Sequence, residues 1–584
     1  MGKLSKEYIR SIIPDGMKKG SDLLEEGRKM GEKIEVKYPK YYMSRGYKLP
    51  GEYSEMKKEK GEVNQFGVNI GMATVDATID ACKELARWGK TINVEPVGFT
   101  LPSMQVGVPK EKRDPELDTT AFMLETQEDW DKFNMEEVYA PIGNFVLVCP
   151  NAIETVVCSL KAGLPGFGTS AQLAWDYPGC DDHVEIIENI VRALGILQSK
   201  KEIKPATTSY VDDGLAGCCI DTVGYVGAYL LDRYIYTELC GVDCPPGFGG
   251  LVSDIKTRAA LMKAFNDLAG EVGLSLSFVH GSTTQQWDHD LASNYGLSSQ
   301  EMLMTYLAED RYKTGCLLLA VPVTEAVTVP TLDEIKDVIA ATARVGEFTD
   351  QWKSLINWEE IDEMAENLKR EGRKMFNNIM TTLKDAGVDV NDPVCMLKFV
   401  KDIDGSLFEQ AFHPSVWETG TYRALYPNDM GKVTVAAIDK AMSALKEKGH
   451  DANTLKGKRI IAGSTDVHSY GLMFVNTVLS NLGADVVNVG VDNTAQSLLD
   501  AATEEGARYI CTSTHSGNAM GIGNQLESLM KKENLDYRIS MGGILTSILP
   551  GHSEPSQIAE LINEKENMMA TNNIVETVEM ILNE

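Results

Sequence analysis

Short, continuously apolar runs alternate with amphipathic stretches along most of the chain, and together they predict an α/β protein. NFVLVCP (144–150), LSLSFVHG (274–281) and CLLLAVPV (316–323) are apolar with little alternation. Strands covered on both faces of a parallel sheet read this way. HVEIIENIVRALGIL (183–197) instead repeats its apolar residues at helical spacing. β–helix units recurring over residues 61–350 predict a (β/α)8 barrel of TIM type or a doubly wound sheet, and the length favours the barrel. Residues 1–60 are charged and helix-prone and are expected to form a surface-wrapping arm. Residues 351–455 predict a helical extension, where WEEIDEMAENLKREGRKMFNNIMTTLKDAG carries charge pairs at i,i+4.

Residues 456–584 carry a second α/β pattern. RIIAGST, ADVVNVG, ARYICTST and YRISMGGI read as strands. GLMFVNTVLSNLG, TAQSLLDAATEEG, NQLESLMKKEN and NIVETVEMILNE read as helices. Strands and helices in this order predict a Rossmann-like (flavodoxin-like) parallel sheet.

Charge narrows the partners. The formal net charge of -29 opposes binding to nucleic acid or to an anionic membrane surface. No stretch approaches the roughly 18 uncharged apolar residues that a membrane span requires. The 11 cysteines include no Cys-x-x-Cys pair, so free thiols in the cytoplasm are expected rather than disulfides or a zinc ribbon. The expected partners are a small-molecule substrate and a second copy of the chain, as in a homo-oligomeric enzyme such as a dimer.

Candidate chemistry lies after the first strand of the last domain, in TDVHSYG (465–471). Ligands of open α/β sheets sit at the carboxyl ends of the strands. A metal-ligating histidine usually gives its second ring nitrogen to a carboxylate, and Asp466 stands two residues before His468. Gly471 leaves room where the chain turns into the next helix. Two later strands end in CTSTHSGNAMG and SMGGIL, small and polar where a bulky ligand needs clearance.

This combination resembles the cobalamin-binding domains of adenosylcobalamin mutases and of methionine synthase, whose pattern is Asp-x-His-x-x-Gly, then Ser-x-Leu, then Gly-Gly. The resemblance implies that His468 ligates cobalt in place of the corrinoid's own benzimidazole, whose tail enters a slot between helix and sheet. It implies a cofactor site of Thr465, Asp466, Val467, His468, Ser469, Gly471, Thr512, Ser513, Thr514, Gly542 and Gly543. The chain departs from the pattern at Thr512-Ser513-Thr514, where Thr512 keeps the hydroxyl and Thr514 replaces an apolar residue.

Upstream, PPGFGGLVSDIKTRAAL (245–261), VPVTEAVTVPTLDE (321–334) and AFHPSVWETGTYRALYPNDMGKV (411–433) resemble segments of the large subunit of glutamate mutase. LPS (101–103) and SAQLAWDYP (170–178) match more weakly. The chain thus looks like the two glutamate mutase subunits fused, in the single-chain order of 2-methyleneglutarate mutase. That resemblance implies an adenosylcobalamin-dependent carbon-skeleton mutase (an isomerase) acting by radical chemistry on a small carboxylic acid. Glu325 falls on the glutamate that holds the adenosyl ribose, while the family's ribose lysine falls on Val321. Trp175 and Tyr177 fall near the substrate tyrosines. His280 and His289 are candidates for hydrogen bonding a substrate polar group.

The family's three substrate arginines have no counterpart at the alignable positions. A bidentate guanidinium is the natural receptor for a carboxylate, so glutamate itself is not the expected substrate. A corrinoid-dependent methyltransferase using methylcobalamin is the alternative, because a barrel beside a corrinoid domain serves either chemistry.

Overall fold

A computed structural model describes residues 4–113, 121–281, 286–287, 290–325, 330–420, 422–465, 470–491, 493–514, 519–548 and 555–583. The chain divides into two compact units. The first holds residues 3–217 and 222–403, and the second holds 404–584 together with Cys218–Asp221. The segment 351–455, read from the sequence as one helical extension, is thus shared between them.

The first unit is built on a parallel sheet of seven strands. They are β1 (Gln65–Ile70), β2 (Glu95–Thr100), β3 (Gly166–Thr169), β4 (Ala206–Tyr210), β5 (Pro246–Phe248), β6 (Phe278–His280) and β7 (Leu317–Leu319). Their order is β2-β1-β7-β6-β5-β4-β3, and the sheet curls round a central cavity. An eight-stranded ring was the expectation, and the ladder holds seven. Residues 139–142 run parallel to β2 through single bridges, Val97 to Tyr139 and Thr100 to Ile142. Pro141 lies among them with no N–H to give a ladder. Among the described residues no strand ladder joins this segment to β3.

The sequence reading of NFVLVCP (144–150) as a strand is corrected. Phe145 to Pro150 are buried, but they form bends and turns. Phe145 has φ +60°, and side chains satisfy the carbonyls: Thr155 Oγ1 donates to Val146 O (2.5 Å) and the Tyr177 hydroxyl to Val148 O (3.0 Å). Buried apolar side chains do not need a strand when their carbonyls find other donors.

Helices cover the outer face of the curled sheet and meet buried polar groups there. Asp232 ends the helix Thr222–Asp232 and accepts hydrogen bonds from Ser170 (2.5 Å) and Ser209 (2.7 Å). Burial pushes its carboxyl up to about 6. The N-terminal region contributes the helices Lys6–Ile12, Gly20–Gly31 and Pro50–Lys60, and Gly20–Gly31 packs against His183–Gln198.

The second unit is a doubly wound parallel sheet. Its strands β8 (Arg459–Ser464), β9 (Asp485–Asn488), β10 (Tyr509–Thr514) and β11 (Arg538–Gly543) are followed by a two-stranded antiparallel pair, β12 (Thr546–Ile548) with β13 (Pro555–Gln557). Strand β14 (Met568–Ala570) then completes the sheet in the order β14-β11-β10-β8-β9. Helices cover both faces. Ile460, Leu479 and Val578 belong to one core, and Ile461, Leu498 and Leu526 to the other.

Cys218–Asp221 is bound into this unit by polar groups. Glu409 accepts the N–H groups of Ile220 and Asp221, each at 2.8 Å, and Asp221 lies 3.2 Å from His413 Nε2. Burial raises the Glu409 carboxyl to about 7. Among the described residues no helix is long and apolar enough to cross a membrane.

Candidate functional site

In the second unit the direction of winding reverses between β8 and β10, the first and third strands of the sheet. That reversal opens a crevice at the carboxyl ends, where open α/β sheets bind ligands. Thr465, just past β8, donates from its N–H (2.9 Å) and from Oγ1 (3.3 Å) to Ser513 O on β10. The helix Tyr470–Asn481 packs on β8 and β10.

Two glycines permit close approaches at the strand ends, Gly471 beside the Ser513 side chain and Gly543 beside the backbone of β10. A Cβ on Gly471 would lie 2.3 Å from Ser513 Oγ. Gly543 has φ +99°, and a Cβ there would lie 2.0 Å from Thr514 O. Two hydroxyls nearby are buried without a hydrogen-bond partner: Thr512 Oγ1 on β10 and Thr477 Oγ1 on the helix. Buried polar atoms are normally paired, so these two mark where a polar ligand fits. Asp466, Val467, His468 and Ser469 lie outside the described residues, as does His289. Thr465, Gly471, Thr512, Ser513, Thr514, Gly542 and Gly543 all lie at or beside this crevice.

Residues 459–571 match the family model of the B12 binding domain. The chain therefore carries a cobalamin-binding domain, and the crevice with its two unpaired hydroxyls fits such a group. No curated protein matches the chain. Among solved structures it is similar to a cobalamin-binding protein of Desulfitobacterium hafniense DCB-2, at 18% identity over 30% of this chain and 76% of that one, with a TM-score of 0.19. It is also similar to the monomethylamine corrinoid protein of Methanosarcina barkeri, at 14% identity over 42% of this chain and 91% of that one, again with a TM-score of 0.19.

The first unit offers a second kind of site. The interior of a closed (β/α) barrel is normally filled by layers of bulky side chains. Here a cavity of about 1630 Å³ runs along the inner face of the curled sheet. It extends from Lys57 and Lys313 at the amino ends of the strands to Asp212, His280 and Glu325 at the carboxyl ends. The inward residues explain the space: Gly166 and Gly168 on β3, Ala206 and Thr208 on β4.

At the carboxyl ends Asp212 Oδ2 accepts the N–H groups of Gly249 and of Gly250 (2.7 Å). Burial pushes its carboxyl up to about 6. Arg258, fully buried, braces the backbone behind it. Its guanidinium donates to Gly249 O (3.1 Å), Val252 O (3.0 Å), Thr305 Oγ1 (3.0 Å) and His280 O, and it faces Glu301 at 3.6 Å.

Of the barrel residues singled out from the sequence, the structure brings His280 and Glu325 to the cavity. His280 stacks on Tyr210, with ring centres 6.0 Å apart and planes at 24°. Glu325 keeps a face open to the cavity, yet the surrounding protein displaces enough water to raise its pKa. Trp175 and Tyr177 pack instead around Phe145, at 6.0 and 6.3 Å, and neither lines the cavity. Val321 is buried beside Trp287. Sequence reasoning missed Tyr210 and Thr477. Tyr210 stands two residues before Asp212, which was a usable signal, while Thr477 sits inside an apolar helix and gives none.

Proposed function

We propose that the chain is an adenosylcobalamin-dependent mutase that rearranges a small molecule inside the curled sheet. The observation that carries this reading is the long interior cavity in a chain that also holds a B12-binding domain. Radical rearrangement needs a walled space that keeps water from the substrate, and a packed barrel would offer none. In this reading residues 139–142 serve as the eighth stave of a (β/α)8 barrel.

His468 would ligate the cobalt, with Asp466 fixing its tautomer. The hydroxyls of Thr512 and Thr477 would pair with the cofactor's tail, and Gly471 would leave it room beside Ser513. Bound in its adenosyl form, the cofactor supplies a carbon radical by cobalt–carbon homolysis; in its methyl form it supplies a methyl group. Glu325 would accept ribose hydroxyls, as a carboxylate does well. His280 and Tyr210 would orient the substrate, and Trp175 and Tyr177 would stiffen the wall behind it.

Hydrogen exchange tests the reading. Protein loaded with adenosylcobalamin tritiated at the 5′ carbon should pass tritium to its substrate, and methyl transfer without exchange would overturn it. The second reading, a corrinoid methyltransferase, draws on the absence of arginine among the described residues lining the cavity. The ligand assignment has its own test. In protein loaded with cob(II)alamin, His468→Gly should remove the protein's nitrogen splitting from the EPR spectrum, and an unchanged spectrum would remove His468 as the ligand.

A further inference from the structure

The cavity wall at the carboxyl ends of the strands is acidic and aromatic. Asp212, Asp213 and Glu325 line it together with Tyr210, Phe278 and His280. Asp212 Oδ2 is taken by two backbone N–H groups, but Oδ1 is buried and has no hydrogen-bond partner. Leaving a buried polar atom unpaired is costly, so Oδ1 is a standing acceptor for a donor that arrives with a ligand.

Beside it runs a row of rings. Tyr210 lies 5.3 Å from Phe278 and 6.0 Å from His280, and Phe278 lies 6.3 Å from Phe99. Aromatic faces next to a carboxylate attract cations.

The protein's own cations do not neutralise this wall. Arg258 is committed to three backbone carbonyls, Thr305 and Glu301. The lysines lining the cavity lie at the far, amino ends of the strands: Lys57 is held by Glu62 and Glu95, Lys58 by Glu55, Lys313 by Asp310 and Lys353 by Asp310 and Asp350, while Lys204 acts on Asp243 at that same end. No arginine lines the cavity among the described residues, so the usual receptor for a carboxylate is missing there.

We propose that the cavity binds a positively charged small molecule, a protonated or quaternary amine, with its cationic head between Asp212 and the rings of Tyr210, Phe278 and His280. The inference rests on the cavity and not on the cobalt chemistry, since an amine can be rearranged or demethylated. It replaces the carboxylic acid implied by the glutamate mutase resemblance.

Calorimetric titration of the full chain with butylammonium, tetramethylammonium, 1-butanol and pentanoate tests it. At least one of the ammonium ions should bind about tenfold or more tightly than pentanoate. Asp212→Asn should weaken ammonium binding by about tenfold and leave butanol binding unchanged. Because Asp212→Asn can also disturb the Gly249–Gly250 turn, Glu325→Gln serves as a second variant, expected to weaken ammonium binding without touching that turn. Pentanoate binding as tightly as the ammonium ions, or no binding of any ammonium ion, would overturn the proposal. Methyl transfer to or from a bound amine without tritium exchange would keep this inference and remove the mutase reading, while failure of every ammonium ion to bind would remove this inference and leave the mutase reading standing.

Discussion

The two parallel sheets follow the same strand rule and bury their residues differently. In β10 all six positions are buried, because helices cover both faces. In β4 the positions alternate. Thr207 and Ser209 are buried behind the sheet, while Ala206, Thr208 and Tyr210 meet the cavity. A sheet covered on both sides leaves a ligand only its carboxyl edge. A sheet curled round a cavity offers its whole inner face, and polar or small residues stand there.

The sharpest way to break this comparison is to truncate one residue of each sheet. Ile510 is fully buried in β10, so Ile510→Ala should cost about 2–5 kcal/mol in urea denaturation. The matching change on the cavity wall, Thr208→Ala, is expected to have the smallest effect.

Next in size is a pH effect with one representative in each unit. Asp232 is raised from 3.8 to about 6 and Glu409 from 4.5 to about 7, both by burial. An acid whose pKa is raised on folding holds its proton more tightly when folded. Stability therefore falls as pH rises from the unfolded value through the folded one and is level above it. For each group the fall is on the order of 3 kcal/mol. Asp232→Asn should flatten it between about pH 4 and 6, and Glu409→Gln between about pH 4.5 and 7. Urea midpoints across pH 4–8 measure both, and an unchanged slope in either variant refutes that residue's part.

Gly543→Val comes third. Strain at φ +99° should cost about 1–3 kcal/mol. Cobalamin binding, read by the quenching of tryptophan fluorescence, should fall further than that loss of stability explains. Affinity equal to wild type would move the cofactor away from the carboxyl ends of β10 and β11. Last, Thr208→Ala should change stability by no more than about 0.5 kcal/mol. A loss comparable to that of Ile510→Ala would mean that the inner wall of the curled sheet is packed like a core.

The doubly wound sheet was readable because its strands combine short apolar cores with small polar ends and alternate with clear helices. RIIAGS and YICTST became β8 and β10, although the three-residue β14 was too short to show. The curled sheet hid more of itself. GFGT (β3) has two glycines and little apolar signal, and only the end of LSLSFVHG became β6. NFVLVCP looked more like a strand than YAPI (139–142), yet it is YAPI that runs beside β2. The positions of β3 and β4 that face the cavity, Gly166, Gly168, Ala206 and Thr208, are small or polar, so the strand pattern fades there.

The cofactor site showed itself through small polar residues at strand ends, a signal carried by backbone clearance. Tyr177 shows the opposite case. An aromatic beside a predicted site reads as a wall, and only its hydroxyl on Val148 O reveals it as packing.

Cys218–Asp221 carries a consequence for how the protein is made. These four residues leave the ribosome long before their partners; the bond from Ile220 to Glu409 spans 189 positions. Domains tend to fold in order of synthesis, but this stretch must wait, threaded out of a unit that is otherwise ready, for the chain that receives it. A gene split at codon 404 would deliver the later piece with Glu409 buried and its two donors missing. Supplying Cys218–Asp221 on a separate polypeptide would turn a loop closure into a bimolecular search.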